Sequence, residues 1–359
     1  MGVLVFISFN FPCRPKSFFG ASGFLGSHIV EQLLSRGYRV RVSARGKKAA
    51  ILRTAYSGNA AVEVFEISDI IHDQFPEALQ GVDAVIHAAS PLPGRMEPEQ
   101  MLNTAIEGSL NVLRQAEKAG VKRFVVTSSI ATLAGNPNGT FKDTDWNPVT
   151  KEFAINAGKD EATYAASKKF AELAVWEWAE AHPHVEVTTI NPPFLYGPFT
   201  TNFPIPATPD FDALSTNLTI YNVITTEGKF PPRPGHADVR DVALAHVTAL
   251  DSPPTSEVGR KRVIFASPYD FNFKNAVELL REKRPQLKDR LITQVPPEFP
   301  AYRYPVDFER IERVTGLKKG DFHTFEETLL HTVDSLLDVE AGWKNKGHNV
   351  GDIPTFSGL

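Results

Sequence analysis

A chain of 359 residues with 42% apolar and 22% charged side chains can bury a sizeable core without disulfides or structural metals, and this composition excludes wholesale disorder. The 38 Lys and Arg against 42 Asp and Glu give a formal charge of −4, which excludes the basic footprint of a nucleic-acid binder and a polybasic membrane patch. The single cysteine, Cys13, excludes an intrachain disulfide and a cysteine-based zinc cage, and it reads as an inert thiol in a reducing, cytoplasmic compartment.

No run of 18 apolar residues is present, so no membrane span is expected. The apolar run 3–9 lacks the basic flank and small-residue cleavage site of a signal peptide and reads as a buried strand. Residues 10–18, with Pro12 and Pro15, then read as an unusual insertion. Either Phe6 and its neighbours form the first strand, followed by a bulging loop, or the segment is an atypical N-terminus. Residues 20–26 lead into a helix at 27–35, with Ile29, Leu33 and Leu34 on one face. Strands follow at 39–44, 62–67 and 83–88, then a helix at 100–118, a strand at 123–128, a helix at 162–181 and a strand at 186–190. Strands alternating with helices predict right-handed crossovers and a parallel sheet covered on both faces.

After Asn191 the composition shifts. Pro192, Pro193, Pro198, Pro204, Pro206 and Pro209 interrupt the alternation, and shorter elements follow: helices at 239–250, 274–283 and 324–339, and a strand near 262–266. The predicted fold is α/β, a Rossmann-type doubly wound parallel sheet with a smaller C-terminal substrate-binding lobe. The expected division is a dinucleotide-binding domain at 1–190 and a lobe at 191–359, partly interleaved with it. In such sheets the ligand crevice lies beyond the carboxyl ends of the strands.

Gly20-Ala21-Ser22-Gly23-Phe24-Leu25-Gly26 carries three glycines spaced three apart and runs into a helix. A pyrophosphate demands this arrangement: a tight turn, close backbone approach, and free N–H groups at a positive helix end. At the end of the second strand, 43–48 reads Ser-Ala-Arg-Gly-Lys-Lys, with no acidic residue to favour a free ribose hydroxyl. Arg45 can fork onto a 2′-phosphate and Lys48 (or Lys47) can add a point charge, which favours NADP(H); the alternative is a solvated basic turn. Asp69, after the third strand, is placed to accept from an adenine amino group, or else is a plain helix cap.

Tyr164-Ala165-Ala166-Ser167-Lys168 puts a phenol and an ammonium one turn apart on one helix face. At about 5 Å and an effective dielectric of 20, the ammonium would favour the phenolate by about 3 kcal/mol, or two pKa units. Ser128-Ser129 closes the strand before it, bringing a hydroxyl to the sheet edge where it can hold a carbonyl oxygen.

In these motifs the chain resembles the extended short-chain dehydrogenase/reductases, within them the group of dihydroflavonol reductase, cinnamoyl-CoA reductase and fungal methylglyoxal and aldehyde reductases. The matching stretches include 20–26, 40–45, His87-Ala88-Ala89-Ser90-Pro91, 124–129, Trp146-Asn147-Pro148, 164–172, 191–198 and 238–246. The resemblance implies NADP(H) and reversible reduction of a small-molecule ketone or aldehyde by a monomer or homodimer. It implies Ser129 as the carbonyl-binding serine, Tyr164 as proton donor, and Lys168 as the ribose-binding residue that lowers the phenol pKa. It also implies cofactor contacts at Asp69, Ile70, Ala88, Ala89, Pro192 and Leu195. Two features depart from the family's pattern: Phe19 stands where Thr precedes the first glycine, and the N-terminal insertion is foreign to it. A nucleotide-sugar epimerase, a steroid dehydrogenase or an NADP-sensing protein on the same scaffold are the alternatives.

The ten histidines show no metal-ligand spacing, and no metal is expected. His87 and His246 read as packing residues, and Asp238 and Asp241 as caps of the next helix. Phe194, Tyr196, Phe199 and Phe203 read equally as a substrate-pocket lining or as lobe core.

Overall fold

The computed structural model describes residues 15–91, 94, 96–133, 142–230, 235–298, 304, 306–351 and 353–354. In chain order its regular elements begin with β1 (Lys16–Phe19), α1 (Phe24–Ser35), β2 (Val40–Ala44), α2 (Lys47–Ala55), β3 (Val62–Glu66), α3 (Pro76–Leu79) and β4 (Ala84–His87). They continue with α4 (Pro98–Lys118), β5 (Arg123–Thr127), α5 (Lys151–Asn156), α6 (Asp160–Ala181), β6 (Glu186–Asn191), β7 (Phe194–Tyr196) and α7 (Asn217–Val223). The last are β8 (His236–Asp238), α8 (Val239–Thr248), α9 (Thr255–Val258), β9 (Lys261–Ile264), α10 (Phe273–Lys283), α11 (Phe308–Thr315) and α12 (Phe325–Asn345). Among the described residues the main sheet runs β3-β2-β1-β4-β5-β6-β9, and its pairings are all parallel. This is the predicted doubly wound sheet, with the order reversing between β1 and β4.

The first strand corrects the sequence reading. Lys16–Phe19 pairs with β2 on one side and β4 on the other, so the end of the supposed insertion is the central strand itself. Pro15 stands just before it and breaks no ladder. The earlier run 3–9, with Pro12 and Cys13, lies outside the described residues. Lys16 is buried in this strand because partners hold it: its ammonium meets Asp83 at 2.6 Å and lies 5.0 Å from the Tyr38 ring.

Alternation along the strands divides the apolar side chains between two faces. Phe18, Val42, Ile86 and Val125 pack with Ile29 and Leu33 of α1 and Val242 of α8. Phe19, Val85, Phe124 and Val126 pack on the other face with Leu113 of α4 and Val175 of α6. A third core, with Tyr221, Leu280, Val333 and Trp343, joins α7, α10 and α12. Burial of each such side chain contributes about 1.5–3 kcal/mol. The two halves interleave, because β9 joins the main sheet beside β6 and Val263 shares a core with α1. Among the described residues, no helix is long and apolar enough to cross a membrane.

All these strands point the same way, so β1, β2, β4, β5 and β6 deliver Gly20, Arg45, Ala88, Ser128 and Pro192 to one edge of the sheet.

Candidate active site

A cleft of about 720 Å³ opens along that edge. Gly20, Ser22, Gly23, Phe24, Leu25, Gly26, Arg45, Lys48, Ile70, Ala88, Ala89, Ser129, Tyr164, Lys168, Pro192 and Leu195 all line it. Three residues singled out for the cofactor do not, the first being Lys47, which is exposed at the start of α2 while Lys48 takes the place on the cleft wall. Ala21 is buried in the core under α1. Asp69 is exposed, and its oxygens serve a turn: Oδ1 accepts from the N–H groups of Ile71 (2.8 Å) and His72 (3.2 Å), and Oδ2 meets His72 Nδ1 at 2.8 Å. Asp69 therefore closes a turn and caps no helix, since the next helix among the described residues starts at Pro76, and it stands outside the cleft lining where an adenine contact was expected.

The glycine turn is built for backbone approach. Gly20 adopts φ +110°, and a Cβ there would lie 2.8 Å from the Ala89 nitrogen. A Cβ on Gly26 would overlap the carbonyl oxygen of Gly20. Gly23 caps α1 without a side-chain hydrogen bond, and no acidic residue stands in the first turn. The positive end of α1 is thus open to an anion. At the far side of the loop, Arg45 precedes α2 and Lys48 lies in its first turn, both exposed to solvent and both on the cleft wall. Glycine turn, open helix end and basic rim fit a dinucleotide carrying a third phosphate. Replacing Arg45 by Glu is expected to raise the KM for NADPH by about 10- to 100-fold and leave that for NADH nearly unchanged, as steady-state kinetics with each would show.

At the other end, α6 presents Tyr164 and Lys168 to the cleft, as their i,i+4 spacing requires. Ser129 stands beside the Tyr164 hydroxyl, near enough to pull the phenol pKa down, and Lys168 Nζ donates to the Thr127 carbonyl at 3.2 Å. Neighbouring serines divide their roles. Ser128 Oγ turns inward to Glu172 at 2.7 Å, whereas Ser129 faces the phenol and accepts from the Ala131 N–H at 3.1 Å. His246 supports this strand end: its Nδ1 donates to the Val242 carbonyl, so Nε2 accepts from Thr127 Oγ1 at 2.7 Å.

The electrostatics reverse one expectation. Burial raises the Tyr164 pKa above its ordinary value, and the Ser129 hydrogen bond offsets this only in part. The phenolate loses hydration in the protein interior, and that cost exceeds the stabilisation expected from the lysine. Lys168 is itself brought down to about 8 by burial, against the upward pull of Glu172. His87 is held down at about 3 and His246 at about 4, chiefly by burial, so both imidazoles are neutral at physiological pH.

The aromatics after β6 are core residues. Phe194 and Tyr196 belong to the α7–α10–α12 core and Phe203 to the α1–α8 core, against which Phe199 packs. The lobe contributes instead Phe211, Asp212, Ser215, Thr216 and Leu218 to the cleft, and Met96 and Asp160 line it as well. Asp160 was legible in principle, since it precedes Tyr164 by four residues. Nothing in the local sequence marks the 211–218 segment.

Comparison with known proteins points the same way. Residues 19–264 match the model of the NAD dependent epimerase/dehydratase family. A ketoreductase of Aspergillus niger is 34% identical over 85% of this chain and 93% of its own length. The NADPH-dependent methylglyoxal reductase of Saccharomyces cerevisiae is 29% identical over 89% of this chain and 97% of its own. The crystal structure of yeast methylglyoxal/isovaleraldehyde reductase complexed with NADPH superposes with a TM-score of 0.77 at 27% identity, covering 91% of this chain and 99% of that one.

Proposed function

The chain belongs to the NAD dependent epimerase/dehydratase family, among the extended short-chain dehydrogenase/reductases, and from that premise we propose that it reduces a ketone or aldehyde to the alcohol with NADPH. The observation that carries this reading is the meeting of Ser129, Tyr164 and Lys168 at one end of a cleft whose other end is the glycine turn and Arg45. Relatives named as ketoreductase and as NADPH-dependent methylglyoxal reductase support it.

In this reading residues 1–190 hold the cofactor and 191–359 shape the substrate lobe. When bound, NADPH supplies the hydride. Ser129 and Tyr164 bind the carbonyl oxygen between them, polarising it and orienting its carbon. The raised pKa of Tyr164 keeps the phenol protonated at neutral pH, which is the form that can give a proton to the developing alkoxide. Lys168, charged below about pH 8, supports that transfer and holds the ribose side of the cofactor.

The charges along the cleft favour an uncharged substrate. Among its described lining residues, Arg45 and Lys48 stand at the cofactor end, and the acidic Asp160 and Asp212 stand on the side of the phenol and the lobe. An anionic substrate would meet the Asp160 carboxylate, one helical turn before the phenol. Following NADPH oxidation with neutral aldehydes and diketones, 2-oxo acids and CoA thioesters, and the formation of epimers from nucleotide sugars, tests the proposal. Turnover is expected with the neutral carbonyl compounds, with kcat/KM at least about tenfold above that for the anionic ones. Conversion of nucleotide sugars alone would overturn it in favour of an epimerase.

A further inference from the structure

We infer that Glu172 and Arg262, a buried ion pair behind the cleft, are positioning residues for the reaction, fixing the Ser129 hydroxyl and the Lys168 ammonium against the substrate. The inference rests on the carbonyl-reductase reading and adds to it residues that touch neither substrate nor cofactor.

Tyr164, Lys168 and Glu172 follow one another at four-residue spacing on α6. The first two line the cleft, and the third turns behind the end of β5. Glu172 and Arg262 are 2% and 0% exposed. One carboxylate oxygen accepts from Arg262 Nε (2.9 Å), Thr189 Oγ1 (2.8 Å) and Trp176 Nε1 (3.3 Å). The other accepts from Ser128 Oγ and Asn191 Nδ2, each at 2.7 Å. Five donors on one side chain saturate an ionised carboxylate, and a neutral amide cannot accept them all.

The network then reaches Ser129 from both sides. Asn191 Nδ2 also contacts the Ser129 carbonyl at 3.3 Å and Thr132 Oγ1 at 3.0 Å, and Arg262 Nη2 donates to the same Thr132 hydroxyl at 2.8 Å. Arg262 Nη1 ties in the carbonyls of Asp143 (2.8 Å) and Asp145 (2.6 Å), and its guanidinium lies 3.8 Å from the Trp146 ring. The residue before Ser129 is held by its side chain and Ser129 itself by its backbone, which fixes the strand end from which the Ser129 hydroxyl, accepting from the Ala131 N–H at 3.1 Å, reaches the phenol side of the cleft. A buried ion pair is weak evidence for stability but a known means of fixing geometry.

Its charge acts on Lys168 as well. The groups facing that ammonium are the Thr127 carbonyl on β5, Tyr164 and Glu172 on α6, His87 on β4 and His246 on α8. Both histidines are neutral and Tyr164 is protonated, so Glu172 is the anion among these described neighbours that keeps the lysine charged.

Two variants test this through the pH dependence of kcat for NADPH-driven carbonyl reduction. Glu172→Gln is expected to lower kcat about 100-fold and to move the alkaline limb below its wild-type position near pH 8, because the lysine loses its anion. The KM for NADPH is expected to stay within about threefold. Ser128→Ala exchanges one hydroxyl for a hydrogen and keeps the charge, so it reads the geometry even where Glu172→Gln fails to fold. Its kcat is expected to fall about tenfold with the alkaline limb unmoved. A Ser128→Ala protein with wild-type kcat, or a folded Glu172→Gln protein with an unmoved limb, overturns the inference. A wild-type protein that turns over no carbonyl compound overturns instead the reading on which it rests.

Discussion

Replacing Tyr164 by Phe is expected to reduce kcat for carbonyl reduction by about 10³-fold while leaving NADPH binding within about twofold of wild type. General acid catalysis by a positioned side chain is worth about 10²- to 10⁴-fold. In the proposed mechanism the phenol shares the carbonyl oxygen with Ser129, which stands beside it, so its removal takes away one of the two groups that would hold the carbonyl. The ring stays: Tyr164 is 9% exposed, and Phe fills the same volume on the same helix face. The glycine turn and the Arg45 rim lie at the other end of the cleft and are untouched. The two measurements therefore separate, with fluorescence titration of NADPH nearly unchanged and turnover close to background. The sign of the pH effect follows from the same environment. Because burial raises the Tyr164 pKa, the phenol does not limit reduction on the alkaline side. The limb is expected near pH 8, where Lys168 loses its proton as pH rises. Full activity in Tyr164→Phe would remove the proton donor from the proposal.

The parts of this site that the sequence displays are those fixed by covalent spacing. Phenol and ammonium four residues apart share a helix face wherever that helix lies, and three glycines ahead of a helix make the same turn. The Ser128-Ser129 pair was legible as a strand end that brings a hydroxyl to the cleft, but the choice of Ser129 came from the family resemblance, because alternation sends the two side chains apart without saying which one meets the phenol. The rest depends on partners distant in the chain. Residues 3–9 look more strand-like than Lys16–Phe19, which opens with a lysine; that lysine is acceptable in a central strand only because Asp83 and Tyr38 meet it. The aromatics from Phe194 to Phe203 carry no local sign of which way they face, and packing against α1, α7 and α12 turns them inward. Glu172 and Arg262 are 90 residues apart. The expected fall in the Tyr164 pKa failed because spacing gives the distance to a charge and says nothing about burial.

Replacing Gly26 by Ala is expected to weaken NADPH binding by about 100-fold and to lower Tm by several degrees. An added methyl at this position overlaps the Gly20 carbonyl oxygen and lies 2.9 Å from its carbon and 3.1 Å from the Ala21 Cα. All three are backbone atoms, so no side chain can rotate aside. Gly20 cannot yield either, because its own Cα faces the Ala88–Ala89 backbone at the end of β4 at a separation that already excludes a Cβ. The strain must move α1 away from the turn, at about 1–3 kcal/mol, which is the usual cost of overpacking. That movement carries the first-turn N–H groups away from the anion they would bind, and each 1.4 kcal/mol lost there is tenfold in Kd. Gly23 supplies the control: its φ is −87°, and a Cβ would make only an ordinary 3.4 Å contact with the Gly20 oxygen, so Gly23→Ala is expected to cost less than threefold. The pattern is opposite to that of Tyr164→Phe, with binding lost and chemistry retained at saturating NADPH. Equal Kd values for Gly26→Ala, Gly23→Ala and wild type, measured by titration, would show that the dinucleotide does not bind across this turn.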